Sequence, residues 1–240
     1  MEAERKYNFE SLRDLRRVFA YMRQNPGIFV TDAHPSLLTP LPDGFEMDLE
    51  PPMEITSPRK RIYFDTEDFR AEAHNIEMRQ EKKSFGVKQI IKMGNAAHLD
   101  QPTLLRPEYP SKLSSSGINL DAISDKKARK AIKKALGDAP IRPILSILSQ
   151  RARLCYHPRG NPDVLVEVAF DQLCGQTFDQ DYVWAGFQME MEIKEGPSEL
   201  ADINQIMDDQ EKDIFGASSR EMIREVTSKP SPGYAYLKSK

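Results

Sequence analysis

At 240 residues the chain is long enough to bury a sizeable core, as one large domain or two small ones. Its 34 Lys+Arg and 37 Asp+Glu leave a formal net charge of -3, which excludes an overall basic field of the kind that attracts nucleic acid. No apolar run approaches the roughly 20 residues that span a bilayer, and two cysteines, Cys155 and Cys174, make neither a disulfide framework nor a zinc site.

Residues 1–7 read as a short strand with charges at alternate positions. Over 9–24, Leu12, Leu15, Phe19 and Met22 recur at helical spacing, and Asn25-Pro26-Gly27 stops the helix. The proline-rich stretch 26–58 is expected to run over the surface, with a short strand at 45–50. Strand candidates follow at 61–66 (RIYFDT), 75–81 (NIEMRQE) and 85–93 (FGVKQIIKM), then RPEYP at 106–110 and the polar turn SSSG. A helix is expected over 121–136, stopped by Gly137. The second half returns to strands at 147–157 and 163–172, a hairpin-like stretch at 177–187, and QMEMEIK at 188–194. Two more helices are expected, at 198–215 with Ser198 as N-cap and at 218–228. Hairpin spacing rather than βαβ spacing points to an α+β chain: an antiparallel barrel or sandwich with peripheral helices. Neither a solenoid-length repeat nor a linker is visible, so a single domain over 1–240 is expected.

QMEMEIK alternates without a slip. Gln188, Glu190, Glu192 and Lys194 fall on one strand face, and Met189, Met191 and Ile193 on the other. For one strand a solvated polar face is the ordinary explanation. Yet Glu2, Glu4 and Lys6 repeat the E-x-E-x-K order, and Arg151 with Arg153, Glu77 with Arg79 and Glu81, Glu167 with Asp171, and Lys88 with Lys92 share faces in the same way. The helices need an apolar surface to pack on, and the opposite faces of these strands supply it. The charged faces would then meet across a closed sheet, and a barrel of about eight strands can hold a ligand inside. Both signs of charge are present. Carboxylates can bind a hard divalent cation, and Lys/Arg can bind phosphate oxygens.

These residues resemble the CYTH domain, or triphosphate tunnel metalloenzyme, family. The resemblance rests on MEAERKY at the N-terminus, Tyr63-Phe64-Asp65-Thr66, IEMR at 76–79, QIIK at 89–92, and Arg106 with Glu108 and Tyr109. It continues through QRARL, EVAFD, MEMEI and the closing SKPSPGYAYL, in preserved order. It implies a closed antiparallel eight-stranded β-barrel with peripheral helices. It implies a metal set of Glu2, Glu4, Asp171, Glu190 and Glu192 for Mg²⁺ or Mn²⁺. Arg79, Lys92, Arg151, Arg153 and Lys229 would grip the triphosphate, and Lys6 would help to position or deprotonate the attacking water. The implied reaction is metal-dependent hydrolysis of tripolyphosphate or a related small triphosphate. A class IV type adenylyl cyclase, or a binding module without turnover, stays open; the R-x-E-aromatic motif ranks hydrolysis first. The expected partner is a small triphosphate, with no nucleic acid and no membrane, and a homodimer stays open. With no apolar core of a signal peptide in MEAERKYNF, a cytoplasmic setting is expected.

The chain departs from the family at Glu77, which stands where an arginine is usual. If it shares a face with Arg79 it either repels a polyanion or pairs with a neighbouring cation. Four histidines, His34, His74, His98 and His157, lack ligand spacing. Arg59-Lys60-Arg61 reads as a solvated charge run, as do the lysines at 126, 127, 130, 133 and 134. Trp184 reads as hairpin packing rather than a stacking platform for a ligand.

Overall fold

A computed structural model of the protein describes residues 2–24, 29–30, 59–83, 86–94, 104–158, 160–215, 222–225 and 229–240. Strand β1 (Glu2–Phe9) leads into helix α1 (Leu12–Gln24), whose start is fixed by Ser11 Oγ accepting from the Asp14 amide at 3.2 Å. Strands β2 (Phe29–Val30) and β3 (Arg59–Asp65), the short helix α2 (Arg70–Ala73), and strands β4 (Ile76–Lys83) and β5 (Gly86–Met93) follow. Next come β6 (Leu104–Arg106), β7 (Glu108–Leu113) and helix α3 (Lys126–Leu136), begun by the Asp125 carboxylate and ended at Gly137, whose φ is 62°. Three long strands, β8 (Arg142–Pro158), β9 (Leu165–Thr177) and β10 (Val183–Glu195), precede helix α4 (Leu200–Phe215), strand β11 (Met222–Glu225) and helix α5 (Ser231–Ser239).

The strands form one antiparallel sheet in the order β11-β1-β10-β9-β8-β3-β4-β5-β7, with β2 on β8 and β6 on β1. The expected α+β class and the antiparallel pairing hold. Among the described residues eight strands of six residues or more make up the sheet, with the short β2, β6 and β11 beside them, and hydrogen bonds do not close it. Pro107, which has no N–H to donate, interrupts the ladder where β6 leaves β1 and β7 joins β5. The sheet is nonetheless strongly curled. Four strands separate β1 from β4 in the order, which would set them about 24 Å apart if the sheet were flat. Yet the Arg106 guanidinium reaches both Glu4 on β1 and Glu77 on β4.

Two apolar clusters lie on the convex side. Leu15, Phe19 and Met22 of α1, with Ile203, Met207 and Ile214 of α4, cover Tyr7, Val168, Phe170, Met189 and Met191. Ala128, Ile132 and Leu136 of α3 cover Phe64, Ile76, Met78 and Ile91. Each of the Val, Leu, Ile, Phe and Met side chains among them, fully buried, contributes about 1.5–3 kcal/mol. Arg5 breaks the apolar parity of β1. It is fully buried beneath α4, paired with Asp208 at 2.8 Å and Glu211 at 2.6 Å.

A third cluster stands on the concave face, at one end. Tyr63, Leu145, Ile147, Leu173 and Trp184 pack with Tyr234 of α5. Asp65 ties this end together, accepting from the amides of Thr66 (2.6 Å), Ala71 (2.8 Å) and Glu72 (3.0 Å) and from the Tyr234 hydroxyl (3.1 Å). The Y-F-D-T and G-Y motifs therefore meet as a structural joint. Trp184 packs as expected: a Cβ on Gly175 would stand 2.1 Å from its ring. Gly175→Ala is expected to cost about 1–3 kcal/mol by overpacking a rigid indole, read as a lowered urea midpoint.

Three local expectations change. The helix expected at 218–228 is strand β11 where it is described, paired with Lys6–Phe9. Helix α4 begins at Leu200, beyond the N-cap position expected of Ser198. Arg61 is no solvated charge: it is buried and paired with Glu81 at 3.0 Å. The strand expected at 45–50 lies outside the described residues, as do His34 and His98. The α3 lysines are exposed as expected, and no helix among the described residues is long and apolar enough to cross a membrane.

Candidate active site

The pleat sends alternate residues to the concave face, where the strand charges collect. Antiparallel register sets Lys6 opposite Glu190 and Glu4 opposite Glu192 across β1 and β10, and Arg151 opposite Asp171 across β8 and β9. Lys6 Nζ lies 3.3 Å from Glu4 and 3.4 Å from Glu190. Arg151 Nε donates to Asp171 at 2.7 Å, and its Nη2 reaches both Asp171 and Glu190. Lys229, from the segment before α5, sits against Asp171 at 2.5 Å and Glu190 at 3.3 Å.

The facing wall comes from β4 to β7. Glu77 pairs with Arg79 at 2.7 Å and Arg106 at 3.6 Å, and Lys92 pairs with Glu108 at 2.6 Å. Arg106 and Glu108 flank Pro107 at i and i+2, so the R-x-E spacing puts both into the interior network. Arg61 donates to Glu81 and to Ser149 Oγ at 3.1 Å. Toward the rim, Arg153 lies 3.5 Å from Glu167, and Lys194 lies 2.5 Å from Glu192. Exposure rises along this face, from 12% at Arg151 to 34% at Arg153 and 36% at Lys194. The pit thus opens away from the α5 end.

Of the expected site residues, Lys6, Glu4, Asp171, Glu190, Arg151 and Lys229 form one linked group. Arg79 and Lys92 stand on the opposite wall, while Arg153 and Glu192 stand toward the rim. The backbone of Glu2 pairs with Arg106, and its side chain lies outside the described residues. Among the described residues, no three carboxylate, imidazole or thiolate groups gather as a ligand cluster. The acids instead face cations. The expected site set leaves out Arg61, Glu81 and Glu167, all buried in the network; the sequence pattern already puts Glu81 and Glu167 on the charged faces, and the parity of β3 with Tyr63 carried the signal for Arg61.

Burial would raise the Glu4 carboxyl, but Lys6, Arg106 and Lys92 outweigh it and hold it at about 2. For Glu190, burial is likewise outweighed by Lys229 and Arg151, which hold it well below its usual value. Glu192 goes the other way, raised by burial and by Glu4 and Glu167 against Lys194. Burial and then Arg151 push Lys229 down to about 8, against the pull of Asp171 and Glu190. A carboxyl depressed in the folded state contributes stability that is present above its unfolded value and lost as pH falls through the folded one. Glu4 therefore stabilises fully above about 4.5, with the loss complete near 2. Glu4→Gln is expected to lower stability at pH 7 by of order 3 kcal/mol. In paired urea melts the difference from the parent should close as the pH falls through that window.

No protein-family model matches the chain, and no curated protein matches it. Solved structures do. A candidate adenylate cyclase from Bacillus halodurans superposes with a TM-score of 0.55 at 14% identity, covering 97% of this chain and 96% of that one. The fold is the CYTH fold. A second CYTH-type structure, a candidate adenylyl cyclase from Hippeastrum described as having a dominant triphosphatase activity, gives 0.51 at 11% identity over 100% of this chain and 96% of its own. At such identity the likeness speaks for the CYTH fold alone, and the chemistry must be argued from the charged interior.

Proposed function

We propose that the chain binds a metal-bound small triphosphate in its polar interior and hydrolyses one of its phosphoanhydrides, with inorganic tripolyphosphate as the leading substrate. The observation that carries this reading is the interior network itself, in which buried carboxylates and buried cations are matched pair by pair. A ligand of one sign would strand the other sign unpaired, at a cost of several kcal/mol per charge. A metal-triphosphate complex brings both signs, so every pair can exchange partners without leaving a bare charge. The activity described for the Hippeastrum structure supports the same choice.

The donor set fits a hard divalent cation such as Mg²⁺ or Mn²⁺, because it is all carboxylate. Glu4 and Glu190, on neighbouring strands, already converge on one cation, the Lys6 ammonium. Glu4, Glu190, Glu192 and Asp171 would hold the metal, with Glu2 carried over from the sequence. When bound, it supplies polarisation of phosphoryl oxygens and orientation of the nucleophile. Arg151 and Lys229, released from Asp171 and Glu190, bind phosphoryl oxygens and neutralise charge on the transferring group. Arg79, Lys92 and Arg106 do the same from the opposite wall, and Arg153 meets the ligand nearer the rim. Lys6, between the two convergent acids, is placed to orient the attacking water. The α5 end excludes bulk water behind the site. Cys155 and Cys174 are free thiols, which supports a reducing, cytoplasmic setting.

A panel of tripolyphosphate, thiamine triphosphate and ATP, with Mg²⁺ or Mn²⁺, tests the reading by scoring phosphate and cyclic AMP together. Phosphate release from tripolyphosphate that EDTA abolishes is expected. Cyclic AMP from ATP would make the protein a cyclase, and binding without turnover would make it a polyphosphate-binding module.

A further inference from the structure

Glu77 puts an acid among the cations of the β4–β7 wall. One carboxylate oxygen lies 2.7 Å from Arg79 Nη1, and the other lies 3.6 Å from Arg106 Nη1. Its side chain is 11% exposed. Burial would raise its pKa, but Arg79 and then Arg106 hold it far below the ordinary carboxylate value, so it stays charged. Arg79 Nε, buried, makes no hydrogen bond among the described residues and meets only a loose ion-pair contact there, with Glu81 at 4.0 Å. That is an incomplete guanidinium site, and a buried donor without a partner is costly. Guanidinium forks donate to carboxylate and phosphate oxygens in the same planar geometry.

We propose that Glu77 is a specificity-determining residue: an internal counter-anion seated on the Arg79–Arg106 pair, where it competes with one phosphoryl group of the ligand. The proposal rests on the triphosphate reading of the interior and goes beyond it by naming how the chain limits polyphosphate length. A short ligand such as pyrophosphate can be held by Arg151, Lys229 and Lys6 without disturbing Glu77. A longer one reaches the opposite wall and must displace the carboxylate. The gain in affinity from each added phosphoryl group is therefore blunted in this protein, and removing the Glu77 charge restores it.

The test is calorimetric titration of parent and Glu77→Gln with pyrophosphate and with tripolyphosphate, at fixed Mg²⁺ and ionic strength. Glu77→Gln is expected to tighten tripolyphosphate by about tenfold or more and pyrophosphate by less than about threefold. Glu77→Asp keeps the charge but withdraws the carboxylate from Arg106; it should give an intermediate gain, and it reads the same subsite if the neutral variant folds poorly. Equal or weaker tripolyphosphate binding in the variants, with the parent binding normally, overturns the role of Glu77 alone. A folded parent that binds neither probe overturns the triphosphate reading, and this inference with it.

Discussion

Arg151→Ala will lower the stability of the protein by about 3–5 kcal/mol, because it removes one partner of a buried ionic group and leaves the other charged. Asp171 is fully buried and takes two hydrogen bonds from this guanidinium, and Glu190 shares its Nη2. Without Arg151 the two carboxylates face each other with Lys229 and Lys6 as their remaining close cations. Urea denaturation with a shifted midpoint and an unchanged slope is the expected readout. Adding Asp171→Asn should recover part of the loss, which an additive, purely steric effect would not. In the folded fraction, phosphate release should fall by about 10²–10³-fold, since a phosphoryl-clamping charge is gone. Parental stability in Arg151→Ala would show that the pair is solvated and that the concave face is not an interior.

Glu192→Gln separates function from folding in the opposite sense. Its carboxyl is raised by burial and by Glu4 and Glu167, so neutralising it relieves an unfavourable charge. The apo protein should melt at the parental temperature or above it. Metal-dependent phosphate release should nevertheless fall by on the order of 10³-fold, the equivalent of several kcal/mol of lost transition-state stabilisation. Mn²⁺ titration of the variant should show weakened metal binding independently of turnover. Parental rates and metal affinity in Glu192→Gln would place the metal away from Glu192.

The strand pattern was legible because period-two alternation is a local property. Glu190 and Glu192 against Met189 and Met191, or Arg151 and Arg153 against Ala152 and Leu154, announce two-faced strands without any knowledge of their neighbours. Which face points inward could be argued only from the number of strands repeating the pattern. Closure was less legible, since it turns on Pro107 and on which strand Leu104–Arg106 joins. The segment Met222–Glu225 shows tertiary override of local pattern: residues with helical spacing were drawn into pairing by the free edge of β1. Arg61 was hidden by its neighbours, because three consecutive basic residues look solvated until strand parity separates Lys60 from Arg59 and Arg61. Arg5, on the apolar face of β1, depended on Asp208 and Glu211 about two hundred residues away, a pairing that no local window contains.

Crystals grown with Mn²⁺ and tripolyphosphate, measured for anomalous scattering at the manganese edge, test most directly whether the charged interior is the site. The expected result is a manganese peak on the concave face between the carboxylates of Glu4 and Glu190, with phosphoryl density reaching Arg151 and Lys229 and the Lys6–Glu190 and Arg151–Glu190 pairs separated. Manganese found only on the outer surface, with those ion pairs intact and the interior closed to phosphate, would contradict the account.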